Sequence, residues 1–338
     1  MKCIPPYDRF TPLDFSNYDL FLQNIDNQFL NLKKIERKIQ TENIATFEIS
    51  NLPSEFPNRF SIHLNGINYQ CLFDSKKNCD KLFVIFSGAR TAKDRIPMFK
   101  RQSYYPFIPM NVLHIADPMF EKFPDLNLGW YYGNKTQSYI EDIADLILKI
   151  CKKLRITNEN IFLFGSSGGG YAALQISKYL KGTIHIALNP QIQVREYPGR
   201  QTFERVTKYS LELKDNLERT NTLDIVSRSE NFFLLIFNID DRHDCEKHLF
   251  PLCEKIGLKK INLGLNKHNN FYIWTYKVMG GHNAQGDQFI FSYIAYLAER
   301  IKDKKDITPF EDMTFKNVSC LWRLLEWNKH LANLNNIG

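Results

Sequence analysis

The sequence predicts an α/β protein, a mostly parallel sheet covered by helices on both faces. Three observations carry that prediction. From Lys81 onward, short β-branched and aromatic runs recur, and segments of helical spacing separate them. The runs are apolar almost throughout rather than alternating, as strands buried on both faces require. At one strand-to-helix junction stands a glycine-framed serine, Gly165-Ser166-Ser167-Gly168-Gly169-Gly170.

Taken in order, residues 1–80 form an N-terminal extension with a helix over Tyr18–Gln40. A β-hairpin follows over Arg59–Phe73, turning at Asn65-Gly66, because Asn-Gly supplies the positive φ angles that a two-residue hairpin turn demands. The catalytic domain is expected over residues 81–301. Its strands are Leu82–Phe86, Val112–Ile115, Ile161–Phe164, Thr183–Ala187, Phe232–Phe237 and Phe271–Lys277, and its helices Ser138–Leu154, Tyr171–Leu180, Cys245–Ile256 and Asp287–Ile301. Residues 191–230 interrupt this alternation with about forty polar, helix-prone residues, including Phe203–Leu217 and Leu223–Ser227, too long for an ordinary connection and therefore read as a lid. Residues 302–338 form a helical tail whose Phe315, Leu321, Trp322, Leu325 and Trp327 stripe predicts docking on the protein's own body, with a homodimer contact as the alternative.

Composition narrows the function. At 43% hydrophobic and 24% charged over 338 residues, the chain can bury a large core and is not intrinsically disordered. The net charge of +7 is spread among 37 acids, unlike the clustered Lys and Arg of a nucleic-acid binder. No apolar run is long enough to span a bilayer, and Met1–Pro6 lacks the apolar core of a signal peptide, so a cytoplasmic location is expected. Seven scattered cysteines without a C-x-x-C pair read as reduced thiols.

The chemistry centres on Ser167. G-x-S-x-G from Gly165 to Gly169 is the pattern of a nucleophile elbow, where a strained turn presents Oγ above the sheet. A phosphate-binding glycine turn is the competing reading, but neither Lys-Ser/Thr nor G-x-G-x-x-G accompanies the glycines. A serine hydroxyl needs a base, and the base an orienting acid, in the chain order Ser, Asp or Glu, His. Of eight histidines, His282 alone sits in a glycine-flanked loop after a late strand. His114 and His185 lie within strands and read as core residues. The acid is expected at Asp241, just past Phe232–Phe237, in preference to Asp240, which could cap the next helix, or Asp244, which could begin it. The oxyanion hole is expected from the N–H groups of Gly168 and Ala89. Six basic residues against one acid between Lys81 and Arg101 suggest that Arg90 and Arg95 bind an anionic substrate or donor, against the plainer reading of a solvated face. His243, Asp244 and His248 could conceivably ligate a metal, but the spacing arises by chance on any polar helix, and no metal is assigned.

Gly165-Ser166-Ser167-x-Gly169-Gly170, the strand ending Phe86-Ser87, the Asp240-Asp241 pair and Gly280-Gly281-His282 together resemble the α/β-hydrolase superfamily. More narrowly they resemble the capsular-polysaccharide O-acetyltransferases of that fold, over Lys81 to Ile301. The N-terminal extension, the insertion and the tail go beyond the pattern. The resemblance implies a cytoplasmic serine enzyme with Ser167, Asp241 and His282 as its triad. It implies acetyl-CoA as acyl-donor substrate, no bound cofactor, and a polysaccharide or oligosaccharide as acceptor. Two alternatives stand beside it: a carboxylesterase or deacetylase using the same triad, and a catalytically silent scaffold of the same fold.

Overall fold

The apolar runs pair side by side as the parallel centre of a ten-stranded sheet in the computed structural model, which describes residues 44–102, 105, 108–211, 218–277 and 280–283. The strands are β1 (Ala45–Glu48), β2 (Arg59–Leu64), β3 (Ile67–Asp74), β4 (Leu82–Phe86), β5 (Asn111–Ile115), β6 (Ile161–Ser166), β7 (Ile184–Leu188), β8 (Phe232–Asn238), β9 (Gly264–His268) and β10 (Phe271–Tyr276). Their order is β1-β2-β3-β5-β4-β6-β7-β8-β10-β9. From β5 to β10 all neighbours are parallel, whereas β3 meets β5 and β9 meets β10 antiparallel. Every residue of β4, β5, β7 and β10 is buried, because helices cover both faces. The expected mostly parallel sheet flanked by helices is therefore present.

Helix α1 (Tyr139–Leu154) buries Tyr139, Ile143, Leu146, Ile147 and Ile150, an i, i+4, i+7 stripe facing the sheet. It ends where Arg155 turns left-handed, at φ 57°. Helix α2 (Gly168–Gln175) starts three residues before the expected Tyr171, since the strand passes into it through a single residue, Ser167. In the insertion, α3 (Arg200–Thr207) stops at left-handed Lys208 rather than running to 217, and α4 (Leu223–Ser227) matches expectation. After β8, α5 (Arg242–Asp244) passes through a π turn (Cys245–Leu249) into α6 (Phe250–Ile256), so this helix begins three residues before the expected Cys245.

The hairpin turns at Asn65 and Gly66, with φ 51° and 78° and Leu64 opposite Ile67. It is not an appendage. Its second strand is hydrogen-bonded to β5, so the sheet runs across the boundary expected at residue 80, and Phe60, Ile62, Tyr69 and Cys71 are fully buried. Tyr69 donates to Asp142 on α1 at 2.6 Å, with Asn65 Nδ2 and Gln137 Nε2 on the same carboxylate at 2.7 and 2.6 Å. The edge strands β1 and β9 are short and half-exposed, which hides them from any apolar pattern. Tyr18–Gln40, Asp287–Ile301 and the 302–338 tail lie outside the described residues. Among the described residues no helix is long and apolar enough to cross a membrane.

Candidate active site

Three strand ends build the site: β6 with the serine, β8 with the acids, and β10 with the histidine loop. Ser167 adopts φ 54° and ψ −122°, a conformation that L-residues avoid and that an elbow imposes. Its N–H donates to the Leu188 carbonyl at 3.0 Å, and its own carbonyl accepts from Tyr171 N–H at 3.0 Å. The glycines permit the close approach. A Cβ on Gly165 would stand 2.1 Å from the Gly169 carbonyl oxygen, and one on Gly169 would stand 2.3 Å from that of Phe86.

His282 lies in a short 3₁₀ turn, Gly281–Asn283, beyond β10. Two asparagines hold that turn by its backbone. Asn189 Nδ2 donates to the His282 carbonyl at 3.1 Å, and Asn238 Nδ2 to that of Gly281 at 3.0 Å. Asn189 is 2% exposed, left-handed at φ 41°, and accepts the Asn238 N–H on its Oδ1 at 2.8 Å. Because Leu188, the residue before it, receives the Ser167 N–H, the end of β7 joins the serine elbow to the histidine turn.

The carboxylate that reaches the ring is Asp244, not Asp241. His282 Nδ1 and Asp244 Oδ2 are 2.5 Å apart, and Asp244 is 4% exposed. Asp241 instead caps α5, its Oδ1 accepting the Asp244 N–H at 2.9 Å. Its other oxygen lies against Gly281, where a Cβ would meet it at 3.3 Å. Burial pulls the His282 pKa down, but the hydrogen bond and charge of Asp244, with the charge of Asp241, outweigh it and hold the ring above the ordinary histidine range. A carboxylate at Nδ1 makes that nitrogen the donor and leaves Nε2 as the lone pair that can take a proton.

The loop after β4 packs against the elbow, for a Cβ on Gly88 would stand 2.8 Å from the Ser166 carbonyl oxygen and 3.6 Å from Ser167 Cβ. Ser87 N–H donates to Tyr131 Oη at 2.8 Å and Arg90 N–H to the Asn127 carbonyl at 2.8 Å. The Gly168 N–H, the first of α2, has no intrahelical acceptor. Arg90 is a strut rather than an anion-binding arm. Its Nε donates to the Leu126 carbonyl at 2.6 Å, its Nη2 to that of Pro124, and its guanidinium stands 5.7 Å from the Phe120 ring centre. Arg95, five residues from the strut along the same loop, is exposed.

The other histidines separate cleanly. His114 is enclosed between Ser87 Oγ at 2.9 Å and Tyr105 Oη at 2.8 Å, and burial, with Arg101 nearby, pulls its pKa to about 3. His185 is held by Thr183 Oγ1 and the Ala173 carbonyl, and burial lowers it to about 4. Both are the core residues expected. His248 is also buried and lowered to about 4 by burial, but it lies beside the site.

One wall of the site comes from the stretch Leu128–Tyr132 and the insertion. A Cβ on Gly168 would meet Leu128 Cδ1 at 2.4 Å and Trp130 Cδ1 at 3.3 Å, so these side chains flank the residue after the serine. Trp130 and Tyr131 are both left-handed. Asp117 accepts the Tyr131 N–H at 2.9 Å, and Trp130 Nε1 donates to Gln191 Oε1 at 2.6 Å. Tyr197 and Phe203 of the insertion pack edge-on against Trp130, with ring centres 5.5 and 5.2 Å away.

Known structures share this architecture. The capsule O-acetyltransferase of Neisseria meningitidis serogroup A, in a variant solved in complex with CoA, superposes with a TM-score of 0.52 at 16% identity, over 71% of this chain and 94% of that one. A Glycosylation Associate Protein complex from Streptococcus agalactiae gives 0.53 at 18%, over 74% of this chain and 47% of that one. Dipeptidyl peptidase 4 of Porphyromonas gingivalis gives 0.51 at 15%, over 71% and 35%. The chain has the α/β-hydrolase fold. No protein-family model matches the sequence, and no curated protein matches it either.

Within that fold, several site residues escaped the sequence reading. Asp241-x-x-Asp244 has the spacing of an N-cap and its N3 partner, the signal that would have given the cap to the first and the contact with His282 to the second. Asn189 follows buried β7 and Asn238 ends buried β8, where a polar residue at a strand's carboxyl end is itself a pointer. Trp130 gave no signal, since its position depends on a loop pinned by the buried Asp117.

Proposed function

We propose that the protein is a serine acyltransferase that moves an acetyl group from acetyl-CoA to a hydroxyl of a capsular or other surface polysaccharide. The observation that carries this reading is the part-buried Asp244–His282 pair, anchored through Asn189 and Asn238 to the turn that strains Ser167. In it Ser167 is the nucleophile, His282 the base and Asp244 the orienting acid. His282 Nε2 takes the Ser167 Oγ proton as Oγ attacks the thioester carbonyl. The tetrahedral oxyanion is received by the Gly168 N–H and an N–H of the Gly88-Ala89 stretch. Collapse expels the CoA thiolate, which leaves with the proton from His282 and yields acetyl-Ser167. A sugar hydroxyl then gives its proton to His282 and attacks the ester, and the proton returns to Ser167 Oγ as the acetylated sugar departs.

The donor assignment draws support from the CoA-bound capsule O-acetyltransferase, whose chain is matched over nearly its full length. Arg95 is assigned to donor phosphate, and the insertion to excluding water so that sugar rather than water resolves the intermediate. A cytoplasmic site of action follows from that donor. The test is incubation with radiolabelled acetyl-CoA, with and without candidate polysaccharides. Label is expected on Ser167 and then on sugar. Label released only as acetate assigns an esterase, and label that persists in Ser167→Ala overturns the nucleophile.

A further inference from the structure

Beside the Asp244–His282 pair lies a second cluster that shares Asp244 and adds two histidines acyl transfer does not use. His243, Asp244 and His248 each bring one potential ligand atom within 4.8 Å of the others. His243 Nε2 stands 2.9 Å from the Glu196 carbonyl oxygen, which can only accept, so that nitrogen carries the ring proton. The other ring nitrogen, Nδ1, faces Asp244 Oδ1 at 3.7 Å.

His248 supplies the independent observation. It is 1% exposed, and its Nε2 has no hydrogen-bond partner. A buried polar nitrogen without a partner needs an explanation, and an ion is one. The His243 and His248 rings stand 5.8 Å apart and nearly perpendicular, at 78°. A tetrahedral ion with bonds of 2.0–2.1 Å holds its ligand atoms about 3.4 Å apart, so the 3.7 Å gap closes by a few tenths of an ångström on binding. The π turn Cys245–Leu249 carries His248 within this short segment, in keeping with the frequent use of such turns at functional sites.

We propose that His243 Nδ1, Asp244 Oδ1 and His248 Nε2 form a site for one Zn²⁺-like transition-metal ion. Two imidazoles and a carboxylate are a donor set that suits zinc, and the Glu196 carbonyl already fixes the His243 tautomer as a second partner of a ligand does. Binding through His248 Nε2 puts the ring proton on Nδ1, where it replaces the long 3.4 Å contact from the Gln193 N–H with two facing donors. The ion would share Asp244 with His282, one oxygen each.

The test is titration of the metal-stripped full chain with Zn²⁺ in competition with a chromophoric chelator. One equivalent is expected to bind, at least about tenfold more weakly in His243→Gln and in His248→Gln. Ser167→Ala is expected to bind like the parent, which separates this site from the acyl-transfer reading. His243 is half-exposed and its substitution leaves the core intact, so a misfolded His248 variant would not remove the test. Co²⁺ is expected to give the intense visible bands of a tetrahedral site, lost in His243→Gln. Absence of binding, or binding unchanged by His243→Gln, overturns the proposal.

Discussion

At residue scale, the proposed chemistry turns on a division of labour between two aspartates three positions apart. Asp244 touches the ring and Asp241 acts only through its charge and its cap. Asp244→Asn is therefore expected to lower kcat by about 10³–10⁴-fold, because an amide cannot hold the imidazole in the required tautomer and charge state. Asp241→Asn, which keeps a good N-cap, is expected to stay within about tenfold of the parent. Steady-state kinetics on the two variants checks the order, and a larger loss at Asp241 would return the acid role to it. The pH dependence follows from the raised His282 pKa. As base the ring must be neutral, so in chelator-treated protein kcat/KM is expected to rise with a midpoint above about 6.5, the ordinary histidine value. Asp241→Asn removes one of the charges that raise it and moves the midpoint down. A midpoint unmoved or shifted upward contradicts the charge argument.

At the scale of elements, the strand ends carry what the side chains need. The serine was legible because the elbow demands glycines that the sequence displays, and the histidine because it sits in a second glycine turn. The ties between them were not, since a hydrogen bond from Asn189 to a backbone carbonyl ninety-three positions away leaves no periodic trace. Asn189→Ala is expected to lower kcat by about 10–10²-fold with little change in KM, because it loosens the histidine turn without touching a substrate pocket. Equal losses in both parameters would mark a binding role instead. Within the β4 loop, the two arginines are expected to part company. Arg90→Ala lowers the unfolding midpoint, as two carbonyls and the Phe120 face lose their partner, at about 1–3 kcal/mol. Arg95→Glu reverses the charge of an exposed side chain. It is expected to raise KM for acetyl-CoA more than for a neutral acetyl ester, most clearly at low salt. Indifference of both substrates to the Arg95 change would make the basic run a solvated face.

At the scale of the whole molecule, the boundary read at residue 80 divides a structure that is continuous. The pattern was legible from Lys81 because strands covered on both faces are apolar throughout. The hairpin before it alternates more, as strands near a sheet edge do, and so reads as separate. Yet β3 bonds along β5 from Cys71 opposite Ile115 to Asp74 opposite Val112, and Tyr69 closes the buried carboxylate of Asp142 on α1. Removing residues 1–80 would expose the β5 edge, strip Phe60, Ile62, Tyr69 and Phe73 from the core and leave Asp142 without its tyrosine. At about 1.5–3 kcal/mol for each large apolar side chain, four such losses are comparable to the whole stability of a typical domain, about 5–15 kcal/mol. Residues 81–338 alone are therefore expected to aggregate or to show no cooperative thermal transition, whereas Tyr69→Phe in the full chain, which forfeits one buried hydrogen bond, costs about 1–3 kcal/mol and retains the transition. Calorimetry on the two proteins separates the cases. A truncated chain that melts cooperatively near the parent temperature would restore the hairpin to the status of an appendage.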